Sequence, residues 1–312
     1  MRVRILGSSA GGGCPQWNCG CPNCHAARTG SPHRQPRTQS SVALSADGRR
    51  WFLFNASPDV RVQLAACPPL WARPGARQSP FAAVVLTDAE MDHTLGLLSL
   101  REERHLRLYA TPWVHHALRE WHSLLRVLGA YCEVEWAPVR LDAAMPLRGA
   151  DDTDVAEAGL LLEAFSLSGT KPPAFAPASA VAPDMVVGYR VTDARSGHAL
   201  AYMPGVHQWS AEVEAQCAGC SCVLFDGTCW DEHELARLGV VGKTASAMGH
   251  LPIGGADGSL ARLAALGGPD GPRRIYVHLN NSNPVLDDES PERRAVEECG
   301  VEVAYDGMEL EV

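Results

Sequence analysis

Residues 81–96, which read FAAVVLTDAEMDHTLG, decide the fold of this chain. The apolar, β-branched run from Phe81 to Leu86 has the length of a buried strand. Thr94 begins a helical pattern of leucines, so the segment predicts a strand followed by a helix. Between the two lie four potential metal ligands, which are Asp88, Glu90, Asp92 and His93. Because α/β proteins place their chemistry at the carboxyl ends of buried strands, we predict that these four residues form the catalytic group.

The same acidic turn could also serve only to cap the helix. A helix cap needs one acidic side chain, whereas this turn has three alternating acids and a histidine, which favours a functional site. If the segment is extended, alternate residues share a face, and Asp88, Glu90 and Asp92 then point the same way. Asp88 and Glu90 would either contact a substrate or support the metal ligands, and both roles stay open.

Length and composition indicate a globular protein. The chain has 312 residues, of which 46% are hydrophobic and 20% charged, and its formal net charge is -9. This charge argues against a nucleic-acid binder that relies on a basic surface. No apolar run has the length of a membrane span, and the first residues do not form a secretory signal, so we expect a cytoplasmic protein without a membrane partner. In that compartment the eleven cysteines are more consistent with metal ligands or reduced thiols than with disulfides.

Four of these cysteines are concentrated in residues 14–24, which read CPQWNCGCPNC. The CxCxxC spacing can place three thiolates around one tetrahedral ion, and zinc is the usual occupant. We predict a structural zinc site formed by Cys14, Cys19, Cys21 and Cys24. The fourth ligand stays open between Cys14 and a residue from a distant loop. The preceding glycines, residues 11–13, are expected to let the backbone pass close to a ligand or another segment.

Two further apolar strands end in ligand-type residues. Residues 222–225 run into Asp226, and residues 274–277 run into His278. Two imidazoles with carboxylates, widely separated in sequence, can bind a divalent transition metal. His250, in the glycine-flanked segment MGHLPIGG, is expected either to contact a substrate or to stabilise the loop of His278.

These strand ends resemble the metallo-β-lactamase family, which implies an α/β fold, a four-layer αββα sandwich, as one domain over residues 1–312. The family carries an HxHxDH motif, and here the two leading histidines are replaced by Asp88 and Glu90. The middle histidine of the family falls near residues 168–170, which read SGT. The resemblance therefore implies one metal site, formed by Asp92, His93, Asp226 and His278, in place of the two sites of typical members. Such a site suits ferrous iron and oxygen chemistry, with zinc as an alternative.

A more specific resemblance is to the protein B family of pyrroloquinoline quinone (PQQ) biosynthesis. It is carried by SSAGGGCPQWNCGCPNC, LTDAEMDHTLGLLSLRE, LFDGT, GHLPIGG and HLNNSNP, at residues 8–24, 86–102, 224–228, 249–255 and 278–284. The resemblance implies Fe(II)- and O2-dependent hydroxylation of the tyrosine ring of a glutamate–tyrosine precursor of PQQ. A second hypothesis is a carrier that takes PQQ or its precursor toward the periplasm, with Lys171, Arg273 or Arg274 pairing with the ligand's carboxylates. A metallohydrolase is a third hypothesis, weakened by the replaced histidines, and a homodimer stays open.

Overall fold

The structure is a computed structural model that describes residues 1–77, 81–141, 143–149, 159–167, 172–239, 243–269 and 271–312. The strands in these ranges form two sheets of seven strands each. In chain order they are β1 (Arg2–Gly7), β2 (Ser41–Ser45), β3 (Trp51–Phe54), β4 (Phe81–Val85), β5 (His105–Ala110), β6 (Glu133–Pro138), β7 (Met145–Pro146), β8 (Leu160–Ser166), β9 (Val187–Asp193), β10 (Ala199–Met203), β11 (Cys222–Asp226), β12 (Arg273–Val277), β13 (Glu302–Val303) and β14 (Glu309–Glu311).

Each sheet is antiparallel in one half and parallel in the other. The first has the order β14-β1-β2-β3-β4-β5-β6, and the second has the order β13-β12-β11-β10-β9-β8-β7. Strands β3 to β6 are parallel neighbours, as are β10 to β13. Every strand that was predicted to deliver a metal ligand, namely β4, β11 and β12, therefore lies in a parallel half, where carboxyl ends share one edge.

The helices are short. In chain order they are α1 (Pro22–Arg28), α2 (Val60–Ala66), α3 (Met91–Thr94), α4 (Pro112–His116), α5 (Leu124–Leu128), α6 (Ala211–Cys217), α7 (Ala245–Met248), α8 (Ser259–Ala265) and α9 (Pro291–Glu298). Single 3-10 turns lie at Pro68–Leu70, Leu95–Leu100, Ala236–Leu238 and Pro284–Leu286, and a π-helical turn lies at Ala117–Trp121. In the described part of the chain, no helix is long and apolar enough to cross a membrane.

Three hydrophobic cores separate four layers. The central core packs the two sheets together, and within it Phe54 of the first sheet meets Tyr189 and Tyr202 of the second edge to face, with ring centroids 5.9 and 6.0 Å apart. One outer core packs α2, α4 and α5 on the first sheet. The other packs α1, α6, α8 and α9 on the second. This arrangement confirms the predicted αββα sandwich.

The turn after β4 differs from its prediction in one respect that matters for the site. The helix begins at Met91 rather than Thr94, so Asp92 and His93 lie on its first turn instead of on an extended segment. The side chain of Asp88 explains the early start, because its Oδ1 accepts the backbone N–H of Glu90 at 2.9 Å and closes a turn there. The expectation that Asp88, Glu90 and Asp92 share the face of an extended segment was therefore wrong.

Candidate metal centres and the cavity between them

Asp88 is held in place by a buried polar network at the end of β4. The side chain of Asn55 donates to Oγ1 of Thr87 at 2.9 Å and accepts the backbone N–H of Thr87 at 3.0 Å. The hydroxyl of Thr87 then donates to Oδ2 of Asp88 at 2.7 Å. Asn55 adopts a φ of 61° to do this, a conformation that asparagine tolerates better than most residues. The network fixes the carboxylate before any ligand binds.

The carboxylate of Asp88 orients the ring of His93. Nδ1 of His93 lies 2.7 and 2.9 Å from the two oxygens of Asp88, which leaves Nε2 as the free ring nitrogen. Nε2 is buried and has no hydrogen-bond partner among the described residues. A buried polar atom without a partner costs about 1–3 kcal/mol, and a metal ion at Nε2 would remove that cost. Carboxylate–histidine pairs of this kind are the usual support of histidine metal ligands.

His278 presents its Nε2 in the same direction. It follows β12 with a φ of 57°, and its Nδ1 lies 2.8 Å from the hydroxyl of Thr228. That hydroxyl donates its hydrogen to Asp226 at 2.6 Å, so it accepts from Nδ1 and leaves Nε2 unprotonated. Nε2 of His278 lies 3.3 Å from Oδ2 of Asp92. One ligand atom each from Asp92, His93 and His278 fall within 4.8 Å of one another, so these three residues fit a metal ion.

Asp226 forms a second group that shares His278. Its Oδ2 accepts the N–H of Val206 at 2.8 Å and lies 2.6 Å from Nδ1 of His250. Its Oδ1 accepts the N–H and the hydroxyl of Thr228. All four acceptor positions of this fully buried carboxylate are therefore used. Ligand atoms of Asp226, His250 and His278 also lie within 4.8 Å of one another, so the four predicted ligands fall into two overlapping groups that share His278.

His250 contacts the metal groups more closely than its sequence context indicates. Its ring stacks on that of His278 with centroids 5.2 Å apart, and it pairs with Asp226. Both roles that the sequence suggested, contact with a substrate and support of the His278 loop, are compatible with this position. The available signal was a histidine in a glycine-flanked loop after the strand that ends in Asp226, and by itself it could not give the partner.

The charges in this region favour cation binding. Burial opposes ionisation of Asp88, but the facing His93 outweighs it and keeps the pKa of Asp88 below its usual value. Although burial disfavours the charged imidazole, Asp88 and Asp92 raise the pKa of His93 to about 9. Desolvation in the cavity, with the charges of Asp88 and Asp92, raises the pKa of Glu90 to about 7. Without an ion His93 therefore holds a proton that a metal would replace.

The cysteine cluster lies beside the first metal group. Cys19, Cys21 and Cys24 come within 4.8 Å of one another, and Cys14 is not part of this group. The side-chain amide of Asn281 places one atom 3.2, 3.6 and 3.2 Å from the three Sγ atoms. A tetrahedral zinc with Zn–S of about 2.3 Å and Zn–O of about 2.0 Å requires S···O separations of about 3.5 Å. Because amide N and O are assigned rather than observed, Oδ1 of Asn281 fits the fourth vertex, which the sequence had left open.

A cavity of about 930 Å³ opens between these groups. Asp88, Glu90, Asp92, His93 and His278 line one part of it, and the N-terminal loop forms a wall. At Gly11 a side-chain carbon would lie 3.2 Å from Oδ2 of Asp92, which confirms the expected close approach of the glycine loop. The same wall includes Cys19 and Cys21. Apolar side chains complete the lining, namely Leu167, Pro172, Pro173, Ala174, Met185, Val186, Leu235, Leu238, Ala247 and Met248.

Two of the three cations expected to bind a ligand's carboxylates, Arg273 and Arg274, are not at this cavity. Arg273 pairs with Glu302 at 2.5 Å on the sheet surface, and Arg274 donates to the carbonyl of Leu263. Neither lines the cavity, so that expectation was wrong for both. Lys171 and residues 168–170, where the middle histidine of the family would fall, lie outside the described residues. Among the described lining residues, Lys243 is the one lysine or arginine.

Comparison with known proteins agrees with the fold described above. Residues 50–279 match the model of the β-lactamase superfamily domain. Two curated proteins named "Coenzyme PQQ synthesis protein B" cover almost all of the chain and of their own length. That of Azoarcus sp. (strain BH72) is 42% identical over 311 residues, with 99% of each chain covered. That of Pseudomonas putida (strain W619) is 40% identical over 313 residues, with 100% of each covered.

Solved structures agree with this result. The Zn(2+)-bound PqqB from Methylobacterium extorquens is 40% identical, covers 100% of each chain and superimposes with a TM-score of 0.89. A diphosphatase from the PhnP family superimposes with a TM-score of 0.66 over 100% of this chain and 97% of its own. At 20% identity, the second similarity concerns the fold alone.

Proposed function

Since this chain belongs to the family of coenzyme PQQ synthesis protein B, and so has a role in PQQ biosynthesis, we propose that it hydroxylates a tyrosine ring. The substrate is a glutamate–tyrosine-derived precursor of the quinone, and the reaction uses ferrous iron and O2. The observation that carries this proposal is the buried Nε2 of His93, which has no hydrogen-bond partner among the described residues and lies at a cavity beside Asp92 and His278. Two histidines and one carboxylate with open positions are the ligand set of non-haem iron oxygenases.

The replaced histidines support an oxygenase over a hydrolase. A two-metal hydrolase needs a second ion next to the first, and the family's two leading histidines would help to hold it. Here Asp88 is occupied in orienting His93, and Glu90 lines the cavity without contacting the histidines that could bind an ion. We assign Glu90 to the substrate, where its carboxylate would accept a hydrogen bond from the phenol.

Hydroxylation of the ring by O2 requires an external reductant. One atom of O2 is inserted into an aromatic C–H bond and the other leaves as water, which consumes two protons and two electrons from an added reductant such as ascorbate. Bound iron would supply the activation of O2. The residues of the chain would hold the ring against the open side of the metal site, exclude bulk water with the apolar walls, and keep both histidines in the orientation that exposes Nε2.

The charge layout of the cavity would orient the substrate. Asp88, Glu90 and Asp92 repel carboxylates from the metal end, whereas the apolar walls suit an aromatic ring. Lys243 has no ion pair or hydrogen bond among the described residues, and its side chain is exposed at the cavity. We therefore assign Lys243 to a carboxylate of the precursor, with the phenol directed at the metal.

The test is anaerobic reconstitution with Fe(II), followed by O2, ascorbate and a glutamate–tyrosine dipeptide. Oxygen uptake and a mass gain of one or two oxygen atoms are expected for the wild type and for Cys299→Ser, a control at the residue that follows α9, outside the site. His93→Ala should lose both signals by at least about 100-fold, since it removes a metal ligand. Iron-loaded wild-type protein that neither consumes O2 nor changes the dipeptide would refute the proposal.

The carrier hypothesis stays as a second candidate because the cavity is large and its lining includes the cationic side chain of Lys243. A volume of about 930 Å³ is in the upper part of the range for small-molecule sites. A carrier would bind PQQ tightly without iron and would not turn over the dipeptide. The reconstitution experiment therefore separates the two functions when PQQ binding is measured on the same samples.

A further inference from the structure

We propose that Asn281 is a positioning residue that couples the cysteine cluster to the metal site of Asp92, His93 and His278. In this view an ion bound by Cys19, Cys21 and Cys24 fixes Asn281, and Asn281 fixes the loop that presents His278. The inference rests on the metal centre of the proposed function but not on its reaction.

The first link is the contact of Asn281 with the sulfur atoms. A single side-chain atom of Asn281 lies within 3.6 Å of the Sγ atoms of Cys19, Cys21 and Cys24. An amide nitrogen has two hydrogens and cannot donate to three sulfurs at once. The geometry of a fourth zinc ligand accounts for all three distances, and it requires Asn281 to be drawn to the ion.

The second link is the backbone of residue 281. The side-chain amide of Asn23, on α1 between two of the cysteines, donates to the carbonyls of Asn281 at 3.0 Å and Asn283 at 2.8 Å. The thiol of Cys21 contacts the same carbonyl of Asn281 at 3.5 Å. The cysteine segment therefore holds this loop through its main chain as well as through the amide.

The third link runs from Asn281 to His278. Only two residues lie between them, so the two Cα atoms can be at most about 10 Å apart. Leu279 between them bonds through its backbone to both Ser8 at 2.9 Å and Ala10 at 2.8 Å, and Asn283 donates to the carbonyl of Gly227 at 2.9 Å. The chain between the two residues has little slack, so we expect a displacement of Asn281 to alter the position of the ring of His278.

The backbone of His278 makes this coupling necessary. Its φ of 57° is unfavourable for a residue other than glycine by about 1–3 kcal/mol. The loop would relax toward ordinary values if it were not held at both ends. Thr228 holds one end, where its hydroxyl lies 2.8 Å from Nδ1 of His278, and the cysteine cluster holds the other.

The test measures metal affinity at the two sites separately with Co(II) as the probe. Sulfur-to-cobalt charge transfer reports the cysteine cluster, and d–d bands of the nitrogen–oxygen site report the other. Asn281→Leu keeps the size of the side chain and removes the ligand, and Asn281→Asp keeps an oxygen. We expect Asn281→Leu to weaken Co(II) binding at the histidine site by about 10- to 100-fold, and Asn281→Asp to weaken it by less than about 3-fold.

A purely structural role for Asn281 would not predict reciprocity. Coupling requires that a metal at the histidine site raise the zinc affinity of the cysteine cluster by the same factor. The release of zinc to a chelator, measured in the wild type with and without the histidine-site metal, gives that affinity. If Asn281→Leu does not fold, the wild type is used instead, and a mercurial removes the zinc from its cysteines. Histidine-site affinities that agree within twofold, with and without zinc on the cysteines, would overturn the proposal whether or not the protein is an oxygenase.

Discussion

The cysteine cluster and the histidine–carboxylate group both meet the loop after β12, at Asn281 and at His278, yet the two groups differ in how many ligands the protein supplies. Around the cysteines, three sulfur atoms and the amide of Asn281 would leave a bound ion no open vertex. Around Asp92, His93 and His278, the protein supplies three ligands and a cavity supplies the remaining directions. Closed tetrahedral sites stabilise structure and open sites perform chemistry. The difference teaches that the number of protein ligands, more than the position in the fold, separates the two roles.

The largest expected effect is on stability, through the closed site. Cys24 is fully buried, and Cys24→Ser should abolish zinc binding and lower the melting temperature by on the order of 10 °C, because binding at a structural zinc site is linked to folding. Removal of the histidine-site metal by a mild chelator should lower it by no more than about 3 °C. Calorimetry with parallel zinc analysis measures both. Equal shifts of the melting temperature from the two treatments would show that the two sites do not differ in their contribution to stability.

The next effect concerns which carboxylate binds the metal at the open site. Asp92→Asn should weaken metal binding by at least about 100-fold, since it removes a charged ligand. Asp226→Asn should weaken it by only about 5- to 10-fold, because the four acceptor positions of Asp226 are already occupied by protein donors. Competitive titration with a chromophoric chelator gives both values. A loss of equal size in the two variants would make Asp226 a ligand, as its place in the family motif implies.

A smaller effect is expected at Asp88, which contacts His93 rather than the metal. Asp88→Asn retains an oxygen that accepts a hydrogen bond from Nδ1, so metal affinity should fall by about 10-fold and the stoichiometry should stay unchanged. Metal analysis by mass spectrometry after dialysis tests this prediction, with Cys299→Ser as the control. Complete loss of the metal would instead place Asp88 among the ligands.

The smallest effect is expected at Lys243. Lys243→Gln should raise the KM for the dipeptide by about 2- to 5-fold, because an exposed charge pair is worth about 1 kcal/mol or less, while kcat stays within twofold. Lys243→Arg should restore the KM. A dipeptide whose carboxylates are amidated should bind wild type and Lys243→Gln equally well. A difference between the variants that persists with the amidated dipeptide would show that Lys243 does not meet a carboxylate.

The strands that deliver the site were predictable because their signals are local. Apolar runs ending in Asp88, Asp226 and His278 mark β4, β11 and β12 without knowledge of their neighbours, and the CxCxxC spacing marks three sulfur ligands. The pairing of Asp226 with His250 was not predictable, since the two lie 24 positions apart and meet only when a loop folds over the edge. Asn281 was missed for the same reason. An asparagine in a polar turn carries no signal for contact with cysteines that lie more than 250 positions away.

The predicted start of the helix after β4 was wrong for a different reason. Leucine periodicity dominates a sequence pattern, and it placed the first helical residue at Thr94. The hydrogen bond from Glu90 to Asp88 decides the start instead, because a side-chain acceptor can close a turn that periodicity does not register. This one turn moves Asp92 and His93 from an extended strand to a helical surface, and so determines which side chains face the metal.

The most direct test of the account is a single turnover with 18O2. Protein loaded with zinc on the cysteines and Fe(II) on the histidine–carboxylate group is mixed with the dipeptide, ascorbate and 18O2, and the product is analysed by mass spectrometry. We expect a hydroxylated tyrosine ring that carries 18O from O2. With one equivalent of ascorbate per iron, no more than one equivalent of product should form. An unchanged dipeptide, or a product that takes its oxygen only from water, would contradict the account.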